Sequence, residues 1–227
     1  MPSLAPTDWA AVSISLKVGV SATVLALPFG LAAAYLSAFK EFRGKAAFEA
    51  AIHLPLTLPP VVVGYLLLVL LGKDGWLGAP LRRIGVNLLF TWKAAVIASA
   101  VVGFPLLVRS IRLGMESVDR RLIRVARTLG AGPLDAFVTV VLPLSLRGIL
   151  AGCLLMFARS LGEFGATILV AGSIPGVTRT IPLAIYDYAG SPGGDSAAAS
   201  LCLVSAAISL TTLAVHESLA RRSTRKA

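Results

Sequence analysis

Charged residues are scarce in this chain of 227 residues. Only 14% of the positions are Asp, Glu, Lys or Arg, whereas 56% are hydrophobic, and the mean hydropathy is +0.84. The surface of a soluble protein carries roughly a quarter to a third of charged residues, so this composition excludes an ordinary water-exposed surface. The lipid bilayer is therefore the expected solvent for most of the chain.

Histidine and cysteine are also sparse, with His53, His216, Cys153 and Cys202 as their complete set. The two cysteines lie far apart in apolar runs and form no CxxC pair, so the sequence predicts neither a zinc site nor a redox pair. A membrane-embedded enzyme would need a cluster of His, Asp or Glu, and the two histidines are distant in sequence. We therefore predict no catalytic residue, no metal site and no cofactor in this chain.

Positive charge is missing before the first apolar stretch, where only Asp8 is ionised. A secretory signal would begin with Lys or Arg, so the first helix is expected to be retained. The apolar runs are long and continuous rather than alternating, which indicates helices and not the strands of a barrel. We predict an all-α polytopic membrane protein, a single domain over 1–227, with five transmembrane helices at about 12–38, 47–71, 92–108, 144–164 and 197–219.

The distribution of Lys and Arg predicts the orientation of these spans. The segments 40–45 and 109–127 and the tail carry three, six and four basic residues, whereas the opposite side carries five. Basic loops are retained in the cytoplasm, so the N-terminus is expected outside and the C-terminus inside. The same rule and anionic lipid account for the net charge of +10, so we do not expect nucleic-acid binding.

The loop around 118–143 has the pattern of two short helices. Val118, Leu122, Val125, Ala126 and Leu129 fall on one helical face, with Arg120, Arg124 and Arg127 elsewhere. Gly130 is a predicted C-cap, and Gly132 followed by Pro133 ends the first helix and begins the second. An exposed apolar face in the cytoplasm predicts a protein partner.

This loop resembles the EAA loop of bacterial ABC-importer permeases. That pattern is Glu-Ala-Ala, three residues, Gly, nine residues, then Ile, any residue, Leu and Pro. Here Arg124-Val125-Ala126 precedes Gly130 at the same spacing, and Val140 begins the stretch that ends in Leu142-Pro143. Arg124 stands where the pattern has Glu, and Val140 where it has Ile. The resemblance implies a type I importer permease whose loop docks on an ATPase subunit, through Arg124, Val125, Ala126, Gly130, Ala131, Gly132, Pro133, Leu142 and Pro143.

Four further stretches resemble the molybdate permease subfamily. They are HLPLTLPPVVVGY (53–65), ARTLGA (126–131), FARSLGEFGAT (157–167) and TRTIP (178–182). Sulfate and tungstate permeases share much of this pattern and stay open as alternatives. The implied partners are a second copy of the chain, ABC ATPase subunits that bind ATP and Mg²⁺, an extracytoplasmic oxyanion-binding protein and the bacterial inner membrane. The sequence contains no GxxxxGK[ST] phosphate loop, so ATP binding is expected in a separate subunit.

The candidate translocation path contains Thr57, Pro59, Pro60, Ser160 and Glu163. Prolines interrupt a helix and free backbone groups, which can line a polar path at membrane depth, although Thr57 could equally bond back to its own helix. Glu163 follows Arg159 by four residues, and we favour a structural ion pair because a carboxylate repels an oxyanion. Lys17 is expected to extend its amine toward the outer interface. An autonomous channel or an ion-coupled transporter is the alternative from another class, and neither needs a docking loop.

Overall fold

The computed structural model describes the backbone of residues 5–224 and the side chains of residues 5–218. The predicted basic tail lies outside the described side chains. The chain forms helices joined by short connections. Their bounds are α1 Pro6–Phe39, α2 Lys45–Thr57, α3 Pro60–Leu71, α4 Gly78–Arg83, α5 Trp92–Glu116, α6 Arg120–Thr128, α7 Pro133–Ala136, a π-helical turn Phe137–Val141, α8 Leu142–Leu144, α9 Leu146–Leu161, α10 Gly165–Ala171, α11 Ile181–Ala189 and α12 Asp195–Thr224.

Within the described residues, three helices are long and apolar enough to cross a membrane by themselves. They are α1, α5 and the part of α12 at Asp195–Ser218. Two further spans are bent pairs, α2 with α3 at 111° and Pro133–Leu144 with α9 at 68°, which brings the number of spans to as many as five. The predicted helical class is confirmed. The predicted span 47–71 is broken between α2 and α3, whereas the predicted span 144–164 corresponds to α9, with one bend just before it.

The third span is longer than predicted. Its helix continues to Glu116, although the sequence suggested a charged loop from Arg109. The reason lies in the pairing of Arg112, whose guanidinium contacts Glu49 of α2 at 2.8 Å and Glu116 at 2.7 Å. Paired charges allow the helix to extend beyond the apolar run, so the loop begins only at Ser117.

Small residues bring α1, α5 and α9 together in the core. A Cβ atom on Gly114 would lie 2.8 Å from Cα of Gly148, and one on Gly103 would lie 3.0 Å from Met156. The Ser110 hydroxyl donates to the Gly148 carbonyl at 3.0 Å between the same helices. Close backbone approach through glycine is the way that membrane helices gain packing where lipid supplies no hydrophobic driving force. Gly103, Gly148 and Gly152 thus permit close helix packing within the subunit.

The bundle has two distinct ends. The end that carries Lys40, Arg43 and α6 is called the basic end, and the end that carries Trp92 and Arg179 is called the far end. At the far end, Tyr188 donates to buried Asp8 at 2.7 Å, and Ser15 accepts from the Ile181 amide at 2.7 Å. These bonds fix α11 on the start of α1.

Candidate functional site

The candidate coupling element begins directly after α5. Val118 is buried under it, and Asp119 accepts a hydrogen bond from the Arg121 amide at 2.8 Å. An aspartate at this position accepts a hydrogen bond from one of the otherwise unpaired amides of the first turn, and its negative charge interacts favourably with the positive end of the helix dipole. Asp119 therefore stabilises the start of α6 at Arg120.

The end of α6 is a Schellman turn. The Gly130 amide donates to the Arg127 carbonyl at 3.2 Å, and the Ala131 amide donates to the Ala126 carbonyl at 3.0 Å. Gly130 has φ +96°, a left-handed conformation that glycine adopts without steric cost. Gly132 and Pro133 then begin α7, as the sequence predicted. The predicted shape of two short helices is confirmed.

Two different faces of α6 are available for contacts. Leu122, Val125 and Leu129 are 48%, 55% and 82% exposed, and Leu134 of α7 is 75% exposed. The other face carries Arg120, Arg124 and Arg127, which line a cavity against the end of α1. The predicted apolar face is thus solvent-accessible in the single subunit, except for Val118, which is buried.

The segment after α7 connects this element to the bundle. The π-helical turn holds Val141 in the core, and Leu142 packs against the same core cluster. The Ser145 hydroxyl donates to the Val141 carbonyl at 2.7 Å, directly at the 68° bend before α9. Leu142 and Pro143 therefore lie at the hinge between the loop and a membrane span, rather than on its exposed face.

The first group of predicted path residues lies at the break between α2 and α3. The Thr57 hydroxyl donates to the Leu54 carbonyl of its own helix at 2.9 Å. Pro59 and Pro60 follow, and both are exposed in the single subunit. Of the two interpretations weighed for Thr57, the local bond is the one observed.

The second group lies at the break between α9 and α10. Glu163 is 2% exposed and accepts from the Ala166 amide at 2.8 Å, so it caps α10. Its Oε2 lies 2.8 Å from Nη1 of Arg159. That contact is an ion pair without hydrogen-bond alignment, because Oε2 has no hydrogen-bond partner among the described residues. The predicted ion pair of Glu163 with Arg159 is observed, and the Ser160 hydroxyl donates to the Met156 carbonyl at 2.9 Å.

The two breaks meet, which sequence reasoning did not predict. A Cβ atom on Gly165 would lie 2.9 Å from Cβ of Pro60, and one on Gly64 would lie 2.7 Å from Cα of Ala166. Two interrupted helices are therefore in backbone contact within the spans. The structure thus brings Pro59, Pro60 and Glu163 into one region.

A polar groove that sequence reasoning missed leads from the basic end toward these breaks. It has a volume of about 470 Å³ and lies between α2 and α5. Glu49, His53 and Thr57 line it at four-residue intervals on α2, and Arg109 and Arg112 line it on α5. This four-residue spacing was a signal that the sequence carried. Lys17, in contrast, lies outside this route, with its Nζ 3.8 Å from the centroid of the Trp92 ring.

Metal-ligating residues do not cluster in the part of the chain that the structure describes. No group of three His, Cys, Asp or Glu side chains lies close enough together to hold an ion there. The free cysteines, Cys153 and Cys202, are likewise separate.

These features define a class of protein. A helical bundle with broken membrane spans and a two-helix element at one end has the structure of a permease subunit. Residues 26–225 match the family described as binding-protein-dependent transport system inner membrane component, and the chain belongs to this family.

Its relatives extend over the whole chain. It is 51% identical to the molybdenum transport system permease protein ModB of Escherichia coli (strain K12), over 99% of this chain and 98% of that protein. Identity to the protein of the same name from Haemophilus influenzae is 49%, over 95% of each chain. Identity to the sulfate transport system permease protein CysW of Synechococcus elongatus is 37%, over 78% of this chain and 62% of that protein.

Solved structures support the fold. A bacterial alginate ABC transporter, solved with an alginate pentasaccharide-bound periplasmic protein, matches at a TM-score of 0.75 and 18% identity, over 97% of this chain and 80% of that one. The inward-facing MetNI methionine ABC transporter matches at a TM-score of 0.67 and 13% identity, over 95% and 93%. The fold is that of type I ABC-importer permeases.

Proposed function

We propose that this chain is the permease subunit of an ABC importer for molybdate. The substrate is supported by the full-length similarity to molybdenum permeases. The coupling role rests on one observation, the α6–α7 element with its exposed apolar face at the position of the EAA-type pattern. Because exposed apolar surface of this kind is stabilised by burial against a partner, an ATPase subunit is the expected occupant.

The proposed assembly contains two copies of this chain, two ATPase subunits at the basic end and a binding protein at the far end. Each chain contributes one transmembrane domain over 1–227, with the coupling loop at about 118–143. ATP and Mg²⁺ bind to the ATPase subunits, and this chain holds no cofactor. Five spans form too little wall for a path by themselves, and symmetric pairing is the commonest oligomeric solution.

The proposed orientation puts the basic end in the cytoplasm, with the N-terminus outside. The uncharged run between Lys17 and Lys40 has 22 residues. As a helix it measures roughly 33 Å, which matches the hydrocarbon thickness of a bilayer. Lys17 over Trp92 then lies at the outer interface, where tryptophan is favoured, and Lys40 at the inner one.

The proposed path runs through the groove between α2 and α5 to the meeting point of the two breaks. His53, Arg109, Arg112, Glu49 and Glu116 line that groove. Arg112 pairs with both carboxylates, and no ion pair of Arg109 occurs among the described residues. Arg109 is therefore the cation left for a passing oxyanion, and a single such cation binds weakly enough to permit release. In this scheme, closure of the ATPases moves α6 and α7, the hinge at Ser145 transmits the motion to α9, and the path opens outward.

Reconstitution tests this function. The chain, its ATPase and its binding protein in proteoliposomes should take up molybdate when ATP and Mg²⁺ are present on the ATPase side. Sulfate at the same concentration as molybdate should not compete. Absence of molybdate uptake together with sulfate uptake would move the substrate to sulfate, in line with the similarity to the sulfate permease.

A further inference from the structure

A cationic cavity lies between the coupling element and the end of α1. It has a volume of about 290 Å³ and is lined by basic and aromatic side chains. On α6, Arg120, Arg124 and Arg127 follow one another at helical spacing, so they share one face. Lys40 faces the same cavity from the chain just after α1. Four positive charges thus converge on one small volume.

Among the described residues, no acidic side chain lines this cavity. Glu41, whose charge interacts with Arg120, lies outside it and accepts from Lys45 at 2.8 Å. That hydrogen bond is the main reason why the pKa of Glu41 lies below its ordinary value, and the charge of Arg120 lowers it further. Arg120, Arg124, Arg127 and Lys40 make no ion pair among the described residues. Their charge is therefore available to an external anion.

The walls of the cavity have the composition of a membrane interface. Tyr35 and Phe39 come from the last turns of α1, and Phe137 contacts Tyr35 with ring centroids 5.1 Å apart. Aromatic side chains favour the headgroup level of a bilayer, and basic pockets beside membrane helices on the cytoplasmic side bind anionic headgroups.

We propose that this cavity binds the phosphate headgroup of an anionic phospholipid and so holds the coupling element against α1. The site rests on the orientation proposed above, because Lys40 must lie at the inner interface. It differs from the ATPase contact, since the apolar residues Leu122, Val125 and Leu129 occupy the other face of α6. Under this proposal Arg124, which the family resemblance assigned to the ATPase contact, binds the headgroup instead, from the cavity that it lines against the end of α1.

A phospholipid is favoured over an acidic surface of the ATPase for two reasons. The cavity is lined by the last turns of α1, a candidate membrane span, and not by the exposed apolar residues of α6. Its volume of about 290 Å³ and its aromatic wall suit a headgroup with glycerol carbons. A free phosphate ion would use the cations and leave Tyr35, Phe39 and Phe137 without a ligand contact.

The test measures lipid retention by the complex of this chain with its ATPase. The complex is exchanged into nanodiscs of phosphatidylcholine with or without phosphatidylglycerol, and retained phosphatidylglycerol is counted by native mass spectrometry. The double variant Arg124→Gln/Arg127→Gln removes two charges from the cavity. The matched control Arg121→Gln/Arg147→Gln removes two exposed charges from the same end outside it. Removal of Arg124 and Arg127 should weaken retention of phosphatidylglycerol roughly tenfold or more, whereas the Arg121→Gln/Arg147→Gln control should retain the lipid.

Three outcomes would overturn the proposal. Equal loss of phosphatidylglycerol from both double variants would mean that the basic end attracts anionic lipid by its overall charge, without a specific site. Hydrogen exchange of residues 120–131 gives the second outcome. Protection by inorganic phosphate in nanodiscs of phosphatidylcholine alone, together with no protection by phosphatidylglycerol in mixed nanodiscs, would assign the cavity to a soluble anion. Loss of the ATPase from the Arg124→Gln/Arg127→Gln variant in phosphatidylcholine would assign it to the ATPase. Lipid retention needs no transport, so failure of molybdate uptake with normal retention would count against the proposed substrate and leave this site standing.

Discussion

At the scale of single residues, the backbone conformation of Gly130 sets the direction in which the chain leaves α6. Its φ of +96° is left-handed, and a Cβ atom there would meet nothing within 4 Å. A substitution at Gly130 is therefore destabilised by backbone strain and not by steric collision with neighbouring atoms. Any effect of such a substitution on transport can therefore be attributed to the conformation of this turn.

We predict that Gly130→Val uncouples the transporter while the membrane bundle still assembles. A β-branched residue in this conformation costs about 1–2 kcal/mol, which favours a different exit from α6 and misdirects α7. Membrane abundance should be normal, copurification of the ATPase should fall, and molybdate uptake should be lost. Gly130→Asn should be milder, because asparagine tolerates this conformation.

Gly132→Ala is the matched control for that experiment. Gly132 lies in the same turn with equally open surroundings, but its φ of −66° suits any residue. Molybdate uptake and ATPase copurification of the Gly132→Ala variant should equal those of the natural chain. Full activity of Gly130→Val would show that the Schellman turn has no part in coupling.

Gly64 is the opposite case, where space and not conformation excludes a side chain. Its Cβ would lie 2.7 Å from Cα of Ala166 and 2.9 Å from the Ala166 carbonyl oxygen, and backbone atoms cannot rotate away. We predict that Gly64→Ala lowers the free energy of unfolding by about 1–3 kcal/mol. Thermal unfolding in detergent measures this change. Gly162→Ala, whose new Cβ would meet only the Arg159 carbonyl oxygen at 4.0 Å, should unfold close to the wild-type temperature.

At the scale of elements, local signals predicted the coupling loop better than they predicted the spans. The cap at Gly130 and the start at Pro133 depend on neighbouring residues, so the turn between α6 and α7 could be read directly. The end of α5 depends on the contact of Arg112 with Glu49, which is 63 residues away in the sequence. The same limit applies to the contact of Gly64 with Ala166, since its close approach is visible only in the folded chain.

The break between α9 and α10 is another element whose chemistry needed the structure. The spacing of Arg159 and Glu163 predicted their ion pair, but the bond from the Ala166 amide to Glu163 was not anticipated. One carboxylate therefore has two roles, as a charge partner for Arg159 and as the cap of α10. These two roles can be separated by substitution.

We predict that Glu163→Ala destabilises the fold more than Glu163→Gln. The alanine variant loses the ion pair and also leaves the buried Ala166 amide without its acceptor, at about 3 kcal/mol. Glutamine keeps an acceptor for Ala166, and Arg159 is 29% exposed and reaches water, so about 1–2 kcal/mol is expected. Thermal unfolding of the purified complex compares the two variants.

Glu41→Gln is the control for that comparison, because Glu41 also pairs with a cation four residues away but is exposed. It should give no measurable change in unfolding temperature. A Glu163→Gln variant with wild-type stability and no molybdate uptake would contradict the structural assignment and make the carboxylate a path residue.

At the scale of the whole molecule, the exposed apolar surface follows the proposed membrane position. Val61, Tyr65 and Val69 of α3 are each more than half exposed, and so are Leu203 and Leu210 of α12. In water such surface would aggregate, whereas in a bilayer it meets lipid or a partner chain. The single subunit is therefore one part of a larger assembly, and its orientation decides which partner meets each end.

The orientation is tested with single cysteines in a background where Cys153 and Cys202 are alanine. Trp76 is 91% exposed at the far end, and Arg43 is exposed at the basic end. Gly78 is unsuitable for a cysteine, because its Cβ would lie 1.8 Å from the Gly72 carbonyl oxygen. Both chosen positions accept a thiol without repacking, so a difference in labelling reports the side of the membrane.

We predict that a membrane-impermeant maleimide labels Trp76→Cys in intact cells and labels Arg43→Cys only after the cells are permeabilised. Lys and Arg resist translocation, so we expect the basic loops in the cytoplasm, where an ATPase could reach the apolar face of α6. Equal labelling of both variants in permeabilised cells is the control for thiol reactivity. The reverse pattern in intact cells would put α6 and α7 outside, where no ATP is available, and the coupling role of Leu122, Val125 and Leu129 would have to be abandoned.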